Sequence, residues 1–195
     1  MALTFDDGPS GRFTRRLLDG LKERDVEATF LLCGYRLKQY PAEGARIAAE
    51  GHEIGIHGYS HDAMNRMTEA QVAAEIRKTA GLLPGSAAFL RPPGGKYNEA
   101  TIAAAEQAGL AILSWSLDPK DWDCDDAGMI TDRVVQKAKD GDVILLHDMS
   151  DSSVTAALRI IDRLRAKGFR FVTVSELAKI KGVTLQPGKV YTGFP

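Results

Sequence analysis

The sequence predicts an α/β fold built on a parallel sheet, and three observations carry that prediction. Seven short apolar runs alternate with helical patterns, as in successive strand–helix–strand crossovers. Glycines stand where helix C-caps belong, at Gly51, Gly109, Gly141 and Gly168. Unusual polar residues follow the strands, at the edge where parallel α/β folds build their sites.

The elements follow in order. Strands are expected at Ala2–Phe5, Ala28–Cys33, Glu53–His57, Ala88–Pro92, Leu110–Leu117, Asp142–His147 and Phe169–Val174, each an apolar run bounded by turn or polar residues. Between them, helices are expected over Thr14–Arg24, Leu37–Glu50, Glu69–Leu83, Glu99–Ala108, Gly128–Asp140 and Thr155–Lys167. Ser175 opens a last short helix with Glu176-Leu177-Ala178-Lys179. Continuous apolar strands such as Val143-Ile144-Leu145-Leu146 suit a sheet covered on both faces. Periodicity alone leaves both a closed barrel and an open doubly wound sheet in play. The segment from Gly182 to Pro195, with two prolines and three glycines, reads as a loop-like extension packed on a single domain of residues 1–181. At the other end, Met1 to Phe5 already reads as a strand with no lead-in, as expected of a trimmed boundary, so the lack of a targeting segment says little about location.

Composition narrows the function. A chain of 195 residues suits one well-buried domain, and 44% hydrophobic with 26% charged residues excludes disorder, collagen and coiled coil. No uncharged apolar stretch reaches the ~18 residues of a membrane helix, so no membrane contact by this domain is expected. A formal net charge of -1 excludes a broad electrostatic grip on nucleic acid. Two cysteines, Cys33 and Cys124, cannot build a disulfide framework, nor a zinc–thiolate site without other ligands.

The strand-end residues carry the chemistry. Asp6-Asp7-Gly8-Pro9 leaves the first strand with adjacent carboxylates, which serve either as an Asx turn or as a metal ligand beside a free base. His57 and His61 stand at i and i+4, a chelating spacing if the segment turns helically. Of four histidines only His52 lies at the opposite end of a strand, and it reads as structural. Together Asp7, His57 and His61 would form a two-histidine, one-carboxylate set that leaves positions open for water and substrate. One divalent metal is implied. Zinc suits the set, and cobalt, nickel, manganese and iron(II) use similar ligands.

Arg91-Pro92-Pro93-Gly94-Gly95 ends a strand in a stiff turn. Its arginine either stays solvated or pairs with the free carboxylate and aims it, and the N–H of Gly94 or Gly95 could face an oxyanion. His147, at the end of a buried strand with a carboxylate nearby, fits a general acid. Trp122 and Leu145 could wall a small apolar pocket, although core packing explains Trp122 equally well. There is no serine elbow of the G-x-S-x-G type.

Thr4–Pro9, His57–His61, Arg91–Gly95, Asp118–Trp122 and Leu145–His147 occur in this order. They resemble the five motifs of the NodB-homology polysaccharide deacetylases, carbohydrate esterase family 4, over nearly the whole chain. The resemblance implies a distorted (β/α)7 barrel. It also implies metal-dependent removal of acetyl groups from N-acetylated sugars, in peptidoglycan, chitin or related glycans, at an extracytoplasmic or cell-envelope location. By residue it implies Asp7, His57 and His61 as metal ligands, Asp6 as base with Arg91 its partner, and His147 as acid tuned by Asp121. Trp122 and Leu145 would line the acetyl pocket, with Pro93 and Gly94 nearby. Many relatives carry a bulky residue where this chain has Gly94, and Tyr97 is the candidate to take its place. Competing readings are an acetyl-ester or cyclic-imide amidohydrolase on the same scaffold, and a catalytically silent glycan-binding module. Loss of Asp6 or His147 would mark the silent module, and both residues are present.

Overall fold

A computed structural model describes residues 1–195. The strands are β1 (Ala2–Asp6), β2 (Thr29–Leu32), β3 (Glu53–Ile56), β4 (Phe89–Leu90), β5 (Ala111–Leu113), β6 (Val143–His147) and β7 (Val190–Tyr191). The helices are α1 (Arg12–Glu23), α2 (Gly34–Gln39), α3 (Pro41–Ala49), α4 (Glu69–Ala80), α5 (Glu99–Gln107), α6 (Ala127–Lys137), α7 (Asp151–Ala166) and α8 (Val174–Ile180). All strand pairs are parallel, in the order β6-β1-β2-β3-β4-β5-β7.

The sheet curls until its two edges meet. Leu117, just past β5, bridges to Ile144 of β6, and Gly193, just past β7, bridges to Asp142 before β6. Phe194 N–H also donates to the Gly141 carbonyl at 2.9 Å. The result is a distorted (β/α)7 barrel whose seam between β6 and β7 is held by isolated bridges instead of a ladder. Helices cover the sheet because their apolar faces have nowhere else to go. Leu17, Leu18 and Leu21 of α1 and Ile160, Ile161 and Leu164 of α7 pack with Phe5, Phe30 and Leu146 in the main core. Val72 and Ile76 of α4 pack with Ile56, Leu90 and Ile112 in a second one. No helix is long and apolar enough to cross a membrane.

Three sequence expectations change. The helix expected over Leu37–Glu50 is two helices, because Pro41 has no N–H to continue the first and instead starts α3. Phe169–Val174 is not a strand. It passes the beginning of β1, where the Met1 amino group donates to the Arg170 carbonyl at 3.1 Å and Val172 N–H donates to the Met1 carbonyl at 3.2 Å. The chain then turns into α8, where Thr173 and Glu176 form a reciprocal cap. The seventh strand comes from the tail. Residues 190–191 pair with β5, and Tyr191 and Phe194 are buried with their rings 5.7 Å apart. Gly141, at φ 87°, lets this tail approach, since a Cβ there would lie 2.0 Å from the Phe194 carbonyl oxygen.

Candidate active site

Parallel register delivers the site residues to one rim. Asp6, the last residue of β1, is paired with His147, the last of β6. His57 follows β3 and Arg91 follows β4. Asp7 and His61, in the loops that follow β1 and β3, have positive φ, 73° and 66°.

His57 and His61 present their Nε2 atoms to one oxygen. Asp7 Oδ1 lies 3.2 Å from His57 Nε2 and 3.0 Å from His61 Nε2. That oxygen is buried and has no hydrogen-bond partner of good geometry. His57 Nδ1 lies 2.7 Å from the Arg91 carbonyl and donates to it, so the neutral ring would offer its Nε2 lone pair to a metal. Burial works against the Asp7 charge, but the two imidazoles hold its carboxyl far below the usual carboxylate range. Asp7 in turn raises the His61 pKa, with burial opposing. The ligand atoms of all three residues lie within 4.8 Å of one another, so the set could hold a metal ion.

Arg91 is buried beneath this set with every donor group engaged. Nη1 donates to Asp6 Oδ1 and to Thr4 Oγ1, both at 2.7 Å. Nη2 donates to the Ser114 carbonyl at 2.7 Å, and Nε to the Leu113 carbonyl at 3.2 Å. Asp6 is therefore fixed through Oδ1, while Oδ2 lies 3.8 Å from His57 Nε2.

His147 pairs with Asp121. Its Nδ1 lies 2.8 Å from Asp121 Oδ1, and its backbone N–H donates to Asp121 Oδ2 at 2.8 Å. Burial alone would lower this histidine's pKa. The Asp121 hydrogen bond and charge, helped by Asp6 and Asp7, raise it instead to about 9. The neighbouring carboxylates do other work. Asp118 accepts Lys120 N–H at 2.7 Å in a tight turn. Asp148 is fully buried, accepts the Thr14 hydroxyl and abuts Gly8, and burial pushes its pKa up to about 6.

A cleft of about 390 Å³ opens over these groups. It is lined by Asp6, Asp7, His57, His61 and His147, and walled by Gly94, Trp115, Asp118, Trp122 and Leu145. Gly95 N–H is used by the Pro92 carbonyl at 2.9 Å, which leaves Gly94 as the backbone donor of that turn facing the cleft. Trp122 is 62% exposed, so it forms a rim and not core. Tyr97 is 42% exposed and Pro93 is buried, and neither is among the residues lining the cleft. The aromatic wall that sequence reasoning missed is Trp115. Its ring lies 2.8 Å from where a Gly95 Cβ would stand, and the Arg91 guanidinium is 5.8 Å from its centroid. A signal was present: Trp115 precedes Asp118 just past β5, on the edge that carries every other site residue.

The remaining candidates are structural. His52 is buried against Phe30 and accepts Ala28 N–H at 3.2 Å, and burial holds its pKa down to about 4. Cys33 and Cys124 are free thiols.

The family model described as polysaccharide deacetylase matches residues 1–113. The chain belongs to the polysaccharide deacetylase family. A Bacillus cereus peptidoglycan-N-acetylglucosamine deacetylase is 36% identical to it, over 93% of this chain and 89% of that relative. The Listeria monocytogenes peptidoglycan-N-acetylglucosamine deacetylase PgdA is also 36% identical, over 98% of this chain, which spans only 41% of that relative's length. Among solved structures, a family 4 acetyl xylan esterase from Clostridium thermocellum, in complex with a cobalt ion, superposes with a TM-score of 0.92 at 32% identity. The superposition covers 100% of this chain and 98% of the esterase.

Proposed function

We propose that this family member is a metal-dependent hydrolase that removes N-acetyl groups from glycans of the peptidoglycan or chitin type, acting at the cell envelope. The observation that carries the reading is one cleft holding three converging ligand atoms, a carboxylate clamped by arginine and an imidazole clamped by carboxylate. The names of the relatives support the substrate class. In this reading residues 1–181 carry every catalytic group, and 182–195 pack on them and complete the sheet with β7.

Asp7, His57 and His61 would hold the ion, zinc before cobalt, nickel or manganese. A divalent ion so held supplies Lewis acidity toward a water and an acetyl carbonyl. Asp6 takes the proton of the attacking water, because Arg91 occupies its Oδ1 and leaves Oδ2 beside the ligand set. His147 gives a proton from Nε2 to the departing amine, since Nδ1 is tied to Asp121. Gly94 N–H offers a hydrogen bond to the oxyanion. Trp122 and Leu145 wall the acetyl methyl, and Trp115 adds a face for the sugar.

The experiment is acetate release from N-acetylglucosamine oligomers and peptidoglycan, alongside acetylated xylan and small cyclic imides. Release from the N-acetylated glycans is expected, abolished by chelation and restored by zinc or cobalt. Full activity in metal-free protein overturns the metal assignment. The likeness to an acetyl xylan esterase makes ester hydrolysis the second reading, and release from acetylated xylan alone would favour it. Binding without release would favour a silent module.

A further inference from the structure

Glu75 lies on the inner face of α4, between buried Val72 and Ile76, and is itself buried. A glutamate on a helix face normally keeps its charge in water, because burying an unpaired carboxylate is costly. Glu75 forms no ion pair with any basic side chain. Its Oε2 instead accepts Tyr59 N–H and Ser60 N–H, both at 2.8 Å, and the Ser60 hydroxyl at 3.0 Å. These are the residues between His57 and His61.

The carbonyls of the same loop are held from the other side. Gly34 N–H donates to the Gly58 carbonyl and Tyr35 N–H to the Tyr59 carbonyl, both at 3.0 Å, from the start of α2. The loop is thus strapped between two helices, with Glu75 the acceptor for its N–H groups. His57 has its own anchors, its strand and the Arg91 carbonyl. His61 makes no comparable anchor: its side chain is partly exposed and its backbone is left-handed, a conformation unfavourable for a non-glycine residue.

We propose that Glu75 is a positioning residue for the candidate metal set, holding the 58–60 loop so that His61 presents Nε2 to Asp7. The proposal rests on the reading of Asp7, His57 and His61 as ligands. Removing the carboxylate leaves two loop N–H groups without an acceptor and lets His61 relax, while His57 and Asp7 stay in place.

The test is cobalt titration of the chelator-stripped chain, read as Kd and as the visible absorption of bound Co2+. Glu75→Ala is expected to weaken Co2+ binding about tenfold, the low end of the range for outer partners of metal ligands, and to change the cobalt spectrum. In a His61→Ala background the same substitution is expected to have no further effect, because the group it positions is gone. Equal weakening in both backgrounds would mean a merely structural role and overturn the proposal, as would unchanged affinity and spectrum. If Glu75→Ala does not fold, Glu75→Gln decides. Its neutral oxygen holds the loop more weakly, so a few-fold loss confined to the His61 background is expected, and no loss overturns the proposal. Wild type that takes up no cobalt overturns the metal reading itself. Wild-type uptake with unaltered variants overturns the strap alone.

Discussion

Arg91 shows how much one buried side chain organises. Its guanidinium fixes Asp6 and its carbonyl fixes the His57 tautomer, so the candidate base and a candidate ligand share a support. Two neighbouring aspartates are thereby divided. Asp6→Asn is expected to keep bound metal but lose turnover by about 10²–10⁴-fold, because an amide cannot accept the water's proton. Asp7→Asn is expected to lose metal. Stoichiometric metal analysis beside kcat/KM checks both, and equal metal loss would contradict the division. On the other side of the cleft, His147 must be protonated to act as an acid, and its pKa is raised to about 9. The alkaline limb of the rate profile should therefore follow His147. Asp121→Asn removes the nearest charge that raises that pKa, leaving burial, which lowers it, opposed by the weaker charges of Asp6 and Asp7. The limb should move to lower pH by about 1–3 units, the usual effect of a close charge partner. A kcat/KM–pH profile with an unmoved limb would show that Asp121 does not tune this histidine.

At the scale of elements, strength of pattern decided what was legible. Strand β6 opens with four continuous apolar residues, Val143–Leu146, and reads easily. Strand β7 is two residues among glycines and prolines, and no local signal distinguishes it from a loop. Its place is decided by what it covers, the edge of β5 and a core of Phe89, Leu113, Val143 and Leu177. Phe194, just beyond it, belongs to that core and also reaches the seam through Gly141. Phe194→Ala is expected to destabilise the fold by about 3–5 kcal/mol, as for other buried aromatics cut to alanine. Urea unfolding with a lower midpoint and unchanged slope would register this, whereas an unaffected midpoint would make the tail a passive appendage. The strand expected at Phe169–Val174 failed for a related reason. Apolar residues were present there, but the Thr173 cap turned the chain into a helix before any ladder could form.

At the scale of the whole molecule, the sequence by itself determined the alternation of strands and helices, the parallel sheet and the edge on which the site lies. These are local properties: an apolar run, a cap and a polar residue just after a strand can each be read within about ten residues. Asp6, Asp7, His57, Arg91 and His147 were legible as candidates because polar groups at the ends of buried strands need a reason to be there. Periodicity and composition left open which groups meet; the family resemblance named the pairs, and tertiary structure brings them together. Register set Asp6 beside His147, and loop paths brought Asp121, not Asp118 or Asp148, against the histidine. Trp115 and Glu75 entered the site on the same terms, one as a wall and the other as a strap from a helix that no motif marks. Such pairings depend on distances of a few ångströms between segments far apart in the chain. A sequence records each partner's chemistry, but only the packed sheet and its helices bring the partners within reach of one another.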